Sequence, residues 1–206
     1  MITIIDYDMG NVGSIKNMLE YLGFTDVEIS SDQERILKST HVILPGVGSF
    51  DEGMKNLEAR KLDIILKEFA LILKKPLLGI CLGMQLLGNS SEEGIKKGLG
   101  LIDFYNIRFR LNNGLKVPHM GWNTIKIINS HNPLLKDLDN NYRYYFVHSY
   151  HAVCDDENQV LLTANYGYDV VVGINQGNVY GVQFHPEKSH HFGMKLLQNF
   201  LGINNV

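Results

Sequence analysis

Residues 76–88, PLLGICLGMQLLG, place a cysteine between two glycines at the junction of two apolar runs. The first run, 76–80, reads as a buried strand, and Met84, Leu86 and Leu87 continue at helical spacing. A strand that turns within one residue into a helix needs a sheet for the strand and a layer beside it for the helix. That single bend already restricts the chain to an α/β architecture.

The residues before the bend agree. ITIIDY (2–7) reads as a buried strand, and in residues 11–23 Ile15, Met18, Leu19 and Leu22 recur at helical spacing before Gly23 as a stop. DVEIS (26–30) and HVILPG (41–46) read as further strands. Residues 50–74 carry a helical pattern in which Leu62, Ile65, Leu66, Phe69, Ile72 and Leu73 share a face. Strands separated by helices build βαβ units and a mostly parallel sheet covered on both sides.

Beyond residue 100 the pattern changes to strands and turns: LIDFYNIRF, WNTIKII, YRYYFVHSY, QVLLTANY, DVVVGI and VYGVQF. LNNGLK and QGN between them read as hairpin turns, and residues 190–202 close the chain as an amphipathic helix. No linker, repeat or low-complexity stretch interrupts the 206 residues. The expectation is a single domain, 1–206, with three layers: a mostly parallel central sheet, flanking helices and an antiparallel strand extension.

Charge narrows the partners. A formal net charge of −3, without a basic run of five, argues against nucleic acid. The uncharged stretch 76–91 is too short and too polar to span a bilayer, and Met1 leads into a strand with no leader pattern. A cytoplasmic chain whose two cysteines, Cys81 and Cys154, are free thiols is expected.

Gly79-Ile80-Cys81-Leu82-Gly83 fits a nucleophile elbow, in which flanking glycines let backbone pass close to an exposed nucleophile. Such a cysteine needs a base. GVQFHPEKS (181–189) supplies His185 and Glu187 two residues apart, on one side if the segment is a strand end. A carboxylate there holds Nδ1–H while Nε2 faces the nucleophile. LPGVGSF (44–50) adds a flexible loop whose backbone N–H could serve a developing oxyanion, with the Leu82 N–H as second donor.

Together these segments resemble the class I glutamine amidotransferases of the Cys-His-Glu triad type. DYDMGNVGS, PGVGSFDEGM, GICLGMQLL, SEEG, VPHMGWN, YYFVHSYHAV and GVQFHPEKS carry the likeness over nearly the whole chain. PHMGWN with HPEKS makes it most similar to the glutaminase subunits of imidazole glycerol phosphate synthases. The resemblance implies Cys81 as nucleophile, His185 as acid/base and Glu187 as its orienter. It implies Gly46, Val47 and Gly48 with Leu82 as the oxyanion site, and Gln85, Glu93, Ser149 and Tyr150 as contacts to substrate glutamine. It also implies a heterodimer with a (β/α)8-barrel cyclase subunit that receives the ammonia, and no cofactor. His119, Met120, Trp122 and Lys188 are the expected interface to that barrel.

Three alternatives accompany this expectation. LLGNSSEEG (86–94) departs from the usual run of the histidine-pathway members and is similar to paralogues that feed sugar amidotransferases of surface-polysaccharide synthesis. A cysteine hydrolase or peptidase of related fold would leave PHMGWN without a task. A thiol redox sensor would use Cys81 with Cys154 as its resolving partner. No metal is expected, because HPEKSHH lacks a recognised ligand spacing.

Overall fold

A computed structural model describes residues 1–112 and 114–203. In chain order its strands and helices begin β1 (Ile2–Ile5), α1 (Val12–Tyr21), β2 (Val27–Ser30), α2 (Gln33–Lys38) and β3 (His41–Leu44). They continue with α3 (Phe50–Ala59), α4 (Leu62–Lys67), β4 (Leu77–Ile80), α5 (Leu82–Leu86), β5 (Ser90–Ser91) and β6 (Phe104–Arg108). The last group is β7 (His119–Thr124), β8 (Lys126–Ile127), β9 (Arg143–His148), β10 (Tyr150–Cys154), β11 (Val160–Asn165), β12 (Asp169–Gln176), β13 (Val179–Val182) and α6 (His190–Leu201).

The main sheet runs β2-β1-β3-β4-β13-β12-β10-β6-β5, parallel from β2 to β13 and antiparallel from β13 to β6. Strand alternation sorts its side chains into two cores. Ile2, Ile4, Ile43, Leu78 and Ile80 pack on one face with Ile15 and Leu19 of α1 and Leu196, Leu197 and Phe200 of α6. Ile5, Val42, Leu44 and Leu77 pack on the other with Ile36, Met54, Leu57, Leu66 and Leu86. Each fully buried Leu or Ile contributes about 1.5–3 kcal/mol. These are the three layers expected, with β7 and β9 forming a separate antiparallel pair.

Three details differ from the expectation. The helical stretch after residue 50 is broken: Lys61 adopts a left-handed φ of 58°, and Glu68–Ile72 form a π turn. A π turn advances more residues per revolution than an α turn, so Ile72 and Leu73 rotate off the buried face that Leu66 and Phe69 keep, and both are exposed. The turn expected at LNNGLK falls partly on residue 113, outside the described residues; the strands on either side do not form a hairpin, since β6 pairs with β10 and β5. QGN is one, joining β12 to β13 with Gln176 opposite Val179. Helix α2, capped by Asp32 through its contact with the Arg35 N–H, is the crossover that the sequence pattern left unassigned.

What the topology does for the site follows from neighbours. β3, β4 and β13 are adjacent and parallel, with Leu44 opposite Gly79 and Ile80 opposite Val182. Their carboxyl ends therefore deliver three segments to one place: the Gly46–Gly48 loop, the Cys81 bend and the His185–Glu187 turn. Crevices at strand carboxyl ends are where open α/β sheets bind ligands.

Candidate active site

Cys81 links β4 to α5 with φ 55° and ψ −112°, a conformation that side chains rarely adopt. The flanking glycines make the bend possible. A Cβ on Gly79 would lie 2.7 Å from the Gly83 carbonyl, and one on Gly83 would run into the Leu44 carbonyl. The cysteine side chain faces a pocket of about 250 Å³ that His185, Gln85, Glu93, Ser149 and Tyr150 also line.

His185 and Glu187 are oriented by a turn, not by strand alternation. β13 ends at Val182, and Pro186–Lys188 form a 3-10 turn that folds the carboxylate back on the imidazole. His185 Nδ1–H donates to Glu187 Oε1 at 2.8 Å, with both side chains almost wholly buried. Ser189 braces the turn: its Oγ donates to the His185 carbonyl at 2.6 Å and accepts the Tyr145 N–H at 3.0 Å. His185 Nε2 is buried without a hydrogen-bond partner, which leaves it for the sulfur. Burial alone would lower the imidazole's pKa, but Cys81 and Glu187 outweigh it and raise the pKa to about 10. The histidine is therefore held as an imidazolium, the form that gives a proton to a leaving amine.

The Gly46–Gly48 loop, expected to serve an oxyanion, is in a closed arrangement. The Leu82 N–H donates to the Gly46 carbonyl at 3.3 Å. Because the trans peptide sets N–H opposite C=O, the Val47 N–H points away from Leu82. Behind the loop, the buried Tyr7 hydroxyl donates to the Pro45 carbonyl at 2.6 Å. Burial, and then the neighbouring Cys81, push the Tyr7 phenol's pKa well up, so it remains a donor.

The residues expected to contact glutamine come together around the same pocket. Glu93 Oε2 accepts the Phe50 N–H at 2.8 Å, and Asp51 accepts the Ile95 and Lys96 N–H groups. These reciprocal bonds clip the 92–96 loop to the start of α3. Gln85 Nε2 donates to the Tyr150 carbonyl at 3.3 Å and to Gln183 Oε1 at 3.0 Å.

The residues expected at a docking interface divide by strand alternation. Met120 and Trp122 of β7 are exposed, at 61% and 46%, so Trp122 is not a core residue. His119 is not on that surface. It points inward at 2% exposure, stacked between Phe146 and Tyr166. Lys188 is exposed with Nζ 5.7 Å from the Tyr145 ring centre, and His190 stacks on Trp122 at 5.5 Å.

Two features escaped the sequence pattern. Gln183, wholly buried, donates from Nε2 to Cys81 Sγ at 3.8 Å. A file of imidazoles also runs behind the pocket. His148 Nδ1 meets the Tyr150 carbonyl at 2.8 Å, His119 Nδ1 meets His148 Nε2 at 2.9 Å, and Asn123 Nδ2 meets His119 Nε2 at 3.2 Å. The carbonyl can only accept, so each ring donates from Nδ1 and accepts at Nε2, and both are neutral. Burial lowers His119 to about 4 and, with the neighbouring histidines, His148 to about 3. The only signal for Gln183 in the sequence was an amide inside an apolar strand.

Among the described residues no group of three or more His, Cys, Asp or Glu side chains is arranged to hold a metal ion. No helix of the described residues is long and apolar enough to cross a membrane. Both cysteines are free. Burial, and then Asp155, Asp156 and Asp103, raise the Cys154 thiol to about 11, which makes it a poor resolving nucleophile.

The glutamine amidotransferase class-I family model matches residues 3–203. The imidazole glycerol phosphate synthase subunit HisH 2 of Methanococcus maripaludis is 55% identical over 201 residues, 98% of each chain. The subunit of the same name from Pseudomonas aeruginosa is 46% identical, over 98% of this chain and all of the relative. In three dimensions the structure of PurLQS from Thermotoga maritima superposes with a TM-score of 0.70 at 22% identity, over 98% of this chain and 97% of that one. Sequence match, fold and the bend at Cys81 lead to one assignment: the chain belongs to the class-I glutamine amidotransferase family.

Proposed function

We propose that the chain hydrolyses glutamine at Cys81 and passes the ammonia to a (β/α)8-barrel cyclase subunit that makes imidazole glycerol phosphate and the aminoimidazole-carboxamide ribotide. The observation that carries this reading is the convergence of Cys81, His185, Val47 and Gly48 on one pocket of about 250 Å³. The Cys81 thiolate attacks the side-chain amide carbon, and the Leu82 and Val47 N–H groups receive the oxyanion once the Gly46–Val47 peptide turns over. The His185 imidazolium gives its proton to the departing nitrogen, ammonia leaves, and a thioester remains. His185, now neutral, takes a proton from water, whose oxygen attacks the thioester and releases glutamate. Glu187 keeps the imidazole's Nδ1–H directed throughout.

For the substrate, Glu93 has one oxygen on the Phe50 N–H and its other available for the glutamine ammonium. Ser149 and Tyr150 suit the α-carboxylate, and Gln85 lies beside them. The partner docks over Met120, Trp122 and Lys188, on the side of the site where ammonia emerges. The decisive experiment mixes the chain with a histidine-pathway cyclase subunit and follows product with glutamine or with an ammonium salt as nitrogen source. Cys81→Ala is expected to lose only the glutamine-dependent product; retention of it overturns the nucleophile.

A second reading has one specific observation in its favour. Two of the relatives are named with the numeral 2, as one of a numbered set of such subunits. A duplicated glutaminase is free to feed another acceptor, such as a sugar amidotransferase of surface-polysaccharide synthesis. Stimulation of glutaminase turnover by that partner, and not by the cyclase, decides for it.

A further inference from the structure

We propose that Gln183 holds the Cys81 sulfur as a thiolate by donating a side-chain N–H to it, with Gln85 fixing which end of the Gln183 amide faces the sulfur. The inference rests on Cys81 as the nucleophile and concerns what keeps it ionised.

The orientation is set by a chain of forced choices. The Tyr150 carbonyl can only accept, so the Gln85 atom beside it, at 3.3 Å, is the amide nitrogen. That nitrogen's second hydrogen points to Gln183 at 3.0 Å, so the Gln183 atom there is oxygen. The nitrogen of Gln183 is then the atom turned to Cys81 Sγ, at 3.8 Å. The Tyr150 carbonyl is itself fixed by the His148 Nδ1–H at 2.8 Å. The sulfur is thus met by a donor whose partner cannot flip.

A donor discriminates between the two forms of sulfur. It bonds weakly to a thiol and strongly to a thiolate, because bonds to charged acceptors are about twice as strong. The Val147 carbonyl, 4.0 Å from the sulfur, accepts only and so suits the thiol. Two side-chain donors face this sulfur, the His185 imidazolium and the Gln183 amide, since the Leu82 N–H is committed to Gly46. The titratable groups around Cys81 are His185 and Glu187 on the turn after β13, Tyr7 after β1, His148 at the end of β9 and Glu93 across the pocket. Of these His185 supplies the compensating charge, and Tyr7 spends its hydrogen on Pro45.

Gln183 does not line the pocket; it lies behind the sulfur. Its loss should therefore change how readily the nucleophile forms and not how glutamine binds. A fully buried amide between Val182 and Phe184 also needs a reason, since an unsatisfied one is costly.

The test reads thiol ionisation directly. In a Cys154→Ser background, alkylation of Cys81 by iodoacetamide is followed by mass spectrometry from pH 5 to 10. Gln183→Met, which keeps length without a donor, should raise the midpoint by about one unit. Gln183→Glu, near in shape but anionic, should raise it further, and Gln85→Met should raise it less. With glutamine as substrate, Gln183→Met should lower kcat about tenfold at neutral pH with KM nearly unchanged. An unmoved midpoint in folded Gln183→Met overturns the inference, as does a loss confined to KM. Should Gln183→Met fail to fold, the Gln183→Glu midpoint decides by the same criterion. Glutamine hydrolysis surviving in Cys81→Ala would instead remove the nucleophile itself, a separate outcome.

Discussion

The Leu82 N–H donates to the Gly46 carbonyl, at 3.3 Å, in the position where a tetrahedral intermediate would need that N–H for itself. One peptide thus withholds two donors. It occupies the Leu82 N–H and turns the Val47 N–H away. Removing one oxyanion donor costs roughly 10²–10³ in rate, so turning this peptide over should stimulate glutaminase by at least about that much. The check is glutamate release with and without the partner loaded with its acceptor. Equal rates reject a gate. Gly48 has φ 111°, and a Cβ there would meet Met9 Cε at 2.9 Å, so Gly48→Ala should blunt the stimulated rate more than the basal one.

The Tyr7 hydroxyl gives a second handle on the same peptide. Its bond to the Pro45 carbonyl, at 2.6 Å, anchors the loop immediately before Gly46. A buried hydrogen bond contributes about 1 kcal/mol, so Tyr7→Phe should shift the loop toward its open form by about fivefold. Basal glutaminase should rise by that factor while the partner-stimulated rate changes little. A fall in both rates would show that Tyr7 supports the active arrangement instead.

The elbow was legible in the sequence because its requirement is local: Gly79 and Gly83 are needed wherever a helix starts within one residue of a buried strand. The convergence of Cys81 with His185 was legible as chemistry but not as geometry. Its cause, the adjacency of β4 and β13, joins segments a hundred residues apart. The strand argument for His185 and Glu187 reached the right pairing through the wrong element, since a 3-10 turn makes it. His119 was misplaced because only the register of β7 against β9 decides which residues alternate outward. Gln183 and the histidine file lay outside local pattern altogether. Their meaning comes from partners on other strands.

That histidine file predicts an acid-sensitive fold. His119 and His148 have pKa values near 4 and 3 in the folded chain, below the ordinary 6.5. Between those values the unfolded chain binds more protons, so stability rises with pH there. The contribution is fully present above about pH 6.5 and is lost as pH falls toward 4 and then 3. Melting temperature should drop steadily from pH 7 to 4.5. His148→Gln should flatten that slope even if it lowers stability at neutral pH. An unchanged slope would place the proton uptake on other groups.

The two cysteines should behave differently. Cys154 is partly buried with its thiol raised to about 11, so it is largely protonated at neutral pH. Cys154→Ser should keep glutaminase activity within a few-fold of wild type, and mild oxidation should not join Cys154 to Cys81. A disulfide found by peptide mapping, or a collapse of activity in Cys154→Ser, would favour the redox reading.

The final prediction concerns docking. Trp122 is half exposed, stacked edge-on to Tyr145 at 6.2 Å and face-on to His190 at 5.5 Å. Lys188 Nζ lies over the Tyr145 ring, and the residue directly follows Glu187 in sequence. This strip of Trp122, Tyr145, His190 and Lys188 therefore borders the His185–Glu187 turn, and a large aromatic is the residue type that anchors interfaces. Trp122→Ala removes little buried area from the isolated chain, so its melting temperature should stay within about 2 °C of wild type. Partner affinity measured by calorimetry should fall by tenfold or more, as expected for an anchor. Lys188→Ala should act more on coupling, because its ammonium lies beside the turn that holds His185. The coupling readout is the ratio of glutamate formed to product formed. A ratio rising well above one in either variant means that ammonia escapes at a loosened seam. If Trp122→Ala melts early yet binds its partner normally, the aromatic strip stabilises the fold and the barrel docks elsewhere.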